Sequence, residues 1–104
     1  MKVQERQEGK WRILGVAGRV DSFTAPQLEA AFKQLIDNGD NWLKLDLSGV
    51  EYLSSAGLRV LLATLKATRA LAGDLQLHSP RDNVRNALEI SGFSGLFTID
   101  GPDS

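Results

Sequence analysis

Two adjacent hydroxyls, Ser54 and Ser55, stand before the small pair Ala56-Gly57 and the apolar run that begins at Leu58. Serine there caps a helix, because its side-chain oxygen accepts one of the N–H groups left unpaired in the first turn. The same place favours negative charge through the positive end of the helix dipole. A phosphoryl group on either hydroxyl adds about −1.5 to −2 charges at that end. Small residues at 56 and 57 leave room for another protein's active site to approach. Two readings stay open from these residues: caps alone, or caps of which one is a phosphorylatable switch. Upstream, Asp21-Ser22 lies between a candidate strand and a candidate helix. Asp21 either closes an Asx-type turn or, carried to the Ser55 end of the fold, orients a hydroxyl or binds a cation or a partner.

Other chemistries find no residues to carry them. The chain has no cysteine, which excludes disulfides, thiolate metal sites and thiol catalysis. Its one histidine, His78, has no ligand partner at metal-binding spacing, so we expect no metal and a structural or solvated imidazole. Gly-x-Ser-x-Gly and the phosphate-loop signature are absent, and Gly15-Val16-Ala17-Gly18 lacks the third glycine of a nucleotide-binding turn. No cofactor is expected, and no enzyme activity. A net charge of −1, from 12 Lys+Arg and 13 Asp+Glu, offers no basic field for nucleic acid. Trp11, Trp42, Tyr52, Phe23, Phe32, Phe93 and Phe97 are dispersed as core or edge residues rather than as a stacking platform. No apolar run approaches the roughly 18 residues of a membrane span, and Met1 to Arg6 lacks a signal-peptide core. A cytoplasmic setting is expected.

The elements that must position the serines read from hydrophobic period. A length of 104 residues suits one domain with a core over about residues 11–99, leaving 101–104 as a loose tail. Val3 to Gln7 reads as an edge strand and Trp11 to Val20 as a second, with Gly15 and Gly18 marking a bulge or close approach. Thr24 and Gln27 form a capping-box pattern with Pro26 in the first turn, and Leu28, Ala31, Phe32, Leu35 and Ile36 give a helical stripe ending at Asn38-Gly39. Trp42 to Leu47 alternates, then Ser48-Gly49 interrupts before Val50 to Leu53. A second helix is predicted from Ala56 to Ala72 with Gly73 as its stop. Leu75 and Leu77 mark a strand, Ser79 to Asp82 opens a third helix that ends at Gly92, and Leu96 to Ile99 is the last strand. The order β-β-α-β-α-β-α-β predicts an α/β domain with a mixed, mostly parallel sheet of about five strands and three major helices.

The second helix is apolar on more than one side. Leu58, Leu61, Leu62 and Leu65 make its core face, while Val60, Ala63, Ala67, Ala70 and Leu71 are small or apolar opposite. Arg59 and Lys66, with Arg69 at the edge, form its polar stripe. Packing against a neighbouring helix explains the second apolar side; a docking surface beside Arg59 is the other reading.

Three ordered segments resemble the STAS domain of bacterial anti-sigma factor antagonists. They are Leu45-Asp46-Leu47-Ser48-Gly49-Val50-Glu51-Tyr52-Leu53-Ser54-Ser55-Ala56-Gly57-Leu58-Arg59-Val60-Leu61-Leu62, then Gly18-Arg19-Val20-Asp21 through Thr24-Ala25-Pro26-Gln27-Leu28, and Leu88-Glu89-Ile90-Ser91-Gly92-Phe93 with Leu96-Phe97. The resemblance implies a protein that binds an anti-sigma factor serine kinase and so frees a sigma factor. Phosphorylation by that kinase then switches binding off, and a PP2C-like phosphatase restores it. Aligned on Gly57-Leu58, it makes Ser55 the phosphoacceptor, with Ser54 as the alternate. The partner surface it implies comprises Asp21, Ser22, Thr24, Ser54, Ser55, Ala56, Gly57, Leu58 and Arg59. Ser54 stands where the family has an acidic residue, and Ala56 where it has a second hydroxyl. STAS-like domains also serve as unphosphorylated subunits of transporters and lipid-trafficking complexes, or as nucleotide sensors, and these are the alternative functions.

Overall fold

Leu43, Leu45 and Leu47 alternate with Trp42, Lys44 and Asp46, and this period of two builds the strand at the middle of the sheet. The computed structural model describes residues 1–101. Strands β1 (Lys2–Glu8), β2 (Trp11–Val20), β3 (Trp42–Leu53), β4 (Asp74–His78) and β5 (Ile99–Asp100) lie side by side in that order. Between them run α1 (Ala25–Asp37), α2 (Ser55–Ala70) and α3 (Asp82–Ile90). β1 is antiparallel to β2, and all other neighbours are parallel. Because the strand order advances in one direction, right-handed crossovers place the three helices on one face. The predicted class, element order and mixed sheet are those observed.

Between that face and the helices lies the main core. Leu14, Leu43, Leu45, Leu47, Leu75 and Leu77 of the sheet meet Leu28 and Phe32 of α1, Leu61 and Leu65 of α2, and Val84 and Leu88 of α3. Burying each such side chain contributes about 1.5–3 kcal/mol. The opposite face carries no helix and is mixed: Ile13 is buried there, outside the helix-side core, among tryptophan and charged side chains. There Trp11 and Trp42 stand edge to face at 5.5 Å, with the Lys10 ammonium 3.7 Å from the Trp42 ring centroid. Farther along the same face, His78 Nδ1 lies 2.7 Å from Asp100 Oδ1. That carboxylate is a partner for His78 supplied only by the folded chain, and the imidazole ties β4 to β5.

Four local expectations need correction. β3 does not break at Ser48-Gly49 but continues to Leu53, because pairing with β2 overrides the turn signal. Gly49 is needed there for close approach: a Cβ would sit 3.0 Å from both Ala17 Cβ and Val16 O. Helix α2 ends at Ala70, and Ala72, with φ 62°, takes the left-handed position assigned to Gly73. Gly73 instead lies where a Cβ would overlap the Asn41 carbonyl. The last strand is shorter than Leu96 to Ile99: a 3₁₀ turn at Phe93–Gly95 comes first, Leu96 is exposed, and pairing is confined to Ile99–Asp100. The capping box at Thr24 is the fourth. Of the expected tail, residue 101 is described and 102–104 lie outside the described residues.

Candidate functional site

β2 and β3 run parallel and end together at Val20 and Leu53, so the chain leaves them through two neighbouring corners at one edge. Parallel strands followed by helices always bring strand C-termini and helix N-termini to the same edge. The Ser54 N–H donates to Val20 O at 2.8 Å and joins the two corners directly. Asp21 and Ser55 are thus brought to one edge, as the topology predicted.

At the second corner Ser54 is extended (φ −84°, ψ 171°), the conformation of an N-cap residue. Its Oγ accepts from the Gly57 N–H at 3.2 Å, and its carbonyl accepts from Leu58 N–H at 2.9 Å. Ser55 is the first residue of α2 and is exposed, and no hydrogen bond engages its hydroxyl among the described residues. The first turn contains no acidic residue. Arg59, exposed one turn farther on, shares the Ser55 side of the helix by i, i+4 spacing. Gly57 and Leu58 are buried, and Ala56 packs against the core. A Cβ on Gly57 would fall 2.6 Å from Leu53 Cδ1 and 2.8 Å from Val20 Cγ1, so glycine seats the helix against both strands.

The first corner is tied more heavily. Asp21 Oδ1 accepts from the Phe23 N–H at 2.9 Å and from the Thr24 N–H at 3.0 Å, which is the Asx-type turn. Thr24 Oγ1 accepts from the Asp21 N–H at 2.8 Å and donates to Arg19 O at 2.9 Å. Here the capping-box expectation fails. Thr24 has α-region backbone (φ −97°, ψ −20°) and makes no side-chain cap, because its hydroxyl already bridges Arg19 and Asp21. The Thr24 N–H holds the Asp21 carboxyl below its ordinary value of 3.8 against partial desolvation, helped by the Phe23 N–H, the Thr24 hydroxyl and the Arg19 guanidinium. Ser22 is exposed beside it.

Two residues outside the predicted set belong to this edge. Phe23 is 91% exposed and Tyr52 is 41% exposed. The Arg19 guanidinium lies 4.4 Å from the Tyr52 ring centroid, across a paired position of β2 and β3. The available signal for Phe23 was its place between Asp21 and the helix, off the apolar stripe of α1. On α2, the second apolar side is met by α1 only in part: Val60 is buried and Val60, Ala63 and Ala67 border a shallow cleft with Phe32 and Ile36, while Ala63, Ala70 and Leu71 are exposed. Helix packing therefore accounts for Val60 and Ala67 but not for Ala70 and Leu71. No set of three or more metal-ligating side chains gathers among the described residues, and no helix among them is long and apolar enough to cross a membrane.

Comparison with known proteins finds matches over most of the chain. The family model described as "Mlab, STAS domain" matches residues 3–98. A Bordetella bronchiseptica protein provisionally named anti-sigma factor antagonist BtrV is 43% identical over 87 residues, covering 84% of this chain and 75% of its own. The anti-sigma-B factor antagonist of Listeria monocytogenes is 32% identical over 99 residues, covering 95% and 86%. Among solved structures, the unphosphorylated anti-sigma factor antagonist SpoIIAA superposes with a TM-score of 0.81 at 21% identity, covering 95% of this chain and 87% of that one. Its phosphorylated form, from Bacillus, gives 0.74 at 20% identity, covering 95% and 90%. These two structures match in fold.

Proposed function

We infer, for a chain that belongs to the STAS domain family, that it acts as an anti-sigma factor antagonist controlled at Ser55. The unphosphorylated edge around Asp21, Ser22, Thr24 and Ser54 to Arg59 binds an anti-sigma factor serine kinase, which then releases its sigma factor. That kinase transfers the γ-phosphoryl group of ATP to Ser55 Oγ, forming the O–P bond and releasing ADP and the hydroxyl proton. A PP2C-like phosphatase hydrolyses the ester and restores the binding form.

The observation that carries this reading is the division of labour between two adjacent serines. Ser54 Oγ accepts from the Gly57 N–H, whereas the neighbouring Ser55 hydroxyl is exposed and unengaged among the described residues. A phosphate on Ser55 meets the positive end of α2, no carboxylate in the first turn, and the Arg59 side of the helix. The domain therefore keeps its fold, and the effect falls on the interface. Closing a partner over a dianion short of donors costs about 2–3 kcal/mol, or roughly 30- to 150-fold in affinity.

The test is intact mass and peptide mapping of protein from its native cells, before and after phosphatase treatment. One phosphate on Ser55, lost in Ser55→Ala, is expected, and Ser55→Glu should bind the kinase roughly 30- to 150-fold more weakly. Phosphate on Ser54 would overturn the assignment of the acceptor. Partner release that ignores Ser55 would point to a constitutive interaction subunit of a transporter or lipid-trafficking complex. Saturable binding of ATP or GTP to the isolated protein would point to nucleotide sensing.

A further inference from the structure

Phe23 is the most exposed large apolar side chain among the described residues, at 91%, while Phe32 is fully buried. Its backbone is nevertheless held in place. The Phe23 N–H is bonded to Asp21 Oδ1, and the next residue, Thr24, is bonded to Asp21 and to the Arg19 carbonyl. These hydrogen bonds fix a corner whose side-chain product is a phenyl ring in water. Nothing inside the molecule gains from that ring. Tyr52, across the strand pair, is the second exposed aromatic of this edge, and Arg19 stacks over it at 4.4 Å.

We propose that Phe23 is the anchor of the partner interface, inserting into an apolar pocket of the anti-sigma factor, with Tyr52 and Arg19 as its flank. This rests on the reading that the Ser55 edge binds that factor, and the link between the corners is the Ser54 N–H to Val20 O bond. Aromatic and arginine side chains dominate the energetics of protein interfaces. A ring presented by a loop already held in shape loses little freedom on binding. Phe23 supplies affinity through burial, and Ser55 supplies the switch through charge; the two act on the same partner through different physics. Ile90 is the contrast. It is 87% exposed at the end of α3, which topology carries to the other end of the strands, away from both corners.

The experiment uses the purified serine-kinase anti-sigma factor that phosphorylates this protein, with affinities from calorimetry. Phe23→Ala is expected to weaken binding about tenfold or more, Phe23→Leu to recover part of the loss, and Ile90→Ala to bind as the parent does. Unchanged circular dichroism and thermal midpoint keep the Phe23→Ala result an interface result, since the ring makes no core contact. Binding of Phe23→Ala within twofold of the parent, while Ser55→Glu weakens it roughly 30- to 150-fold, overturns the anchor and leaves the Ser55 reading standing. Loss in Phe23→Ala with no effect of Ser55→Glu sustains the anchor and overturns the switch.

Discussion

The corner into α1 and the corner into α2 leave adjacent parallel strands at one edge, yet they use their hydroxyls in opposite ways. At the first, Thr24 Oγ1 and Asp21 Oδ1 are both engaged in holding the turn, and the exposed Ser22 hydroxyl lies outside that network. At the second, one hydroxyl caps the helix and its neighbour stays free. The difference separates two jobs that a signalling surface must do. One corner holds a shape constant, so a partner meets the same outline each time. The other leaves a nucleophilic oxygen open to a kinase, and its chemical state can change without unfastening the corner.

Three perturbations break or sharpen that contrast. The largest effect should come from Thr24→Val, which leaves the Asp21 N–H and the Arg19 carbonyl without their bridge. The expected loss is about 1–2 kcal/mol, seen as a fall in thermal midpoint of about 4–8 °C per kcal/mol. An unchanged midpoint would mean the first corner is not tied by its hydroxyl. Ser54→Ala should cost about 1 kcal/mol, the usual value of a lost N-cap. Phosphopeptide mapping of that variant should still find Ser55 modified; loss of the phosphate would show that Ser54 does more than cap.

The smallest effect is a pH dependence. Asp21 has a folded value depressed below its ordinary 3.8, so its contribution to stability is complete above 3.8. It is lost as the pH falls through the lower folded value, when the carboxyl protonates and the Phe23 and Thr24 N–H groups lose a charged acceptor. Amide chemical shifts of Phe23 and Thr24 should therefore titrate with a midpoint under 3.8, while Gly57, capped by a hydroxyl, does not follow them. A midpoint at or above 3.8 would contradict the tied corner.

Periodicity explains why so much of the frame is legible beforehand. Alternation in 42–47 and the 3,4 spacing from Leu28 to Ile36 each bury one face, and burial is what selects the element. Trp11–Val20 is found at its expected limits for the same reason. The site is legible in part. Two serines before an apolar run announce a helix start, but which of them caps depends on backbone angles that no residue type reports. Thr24 suits a cap and a tertiary bridge equally well, and the decision lies with the Arg19 carbonyl, five residues away. Gly73 looks like a helix stop, yet the Asn41 carbonyl, distant in sequence, is what demands it. Phe23 was grouped with core and edge aromatics because pattern alone carries no measure of exposure.

Both tryptophans of the chain open their strands, Trp11 at the start of β2 and Trp42 at the start of β3, on the uncovered face. The corners lie at the other ends of those strands. Tryptophan fluorescence therefore comes from the ends of the strands opposite the two corners, from an edge-to-face pair whose geometry depends on the folded sheet. Emission reports whether the protein is folded, and the edge reports whether it is engaged.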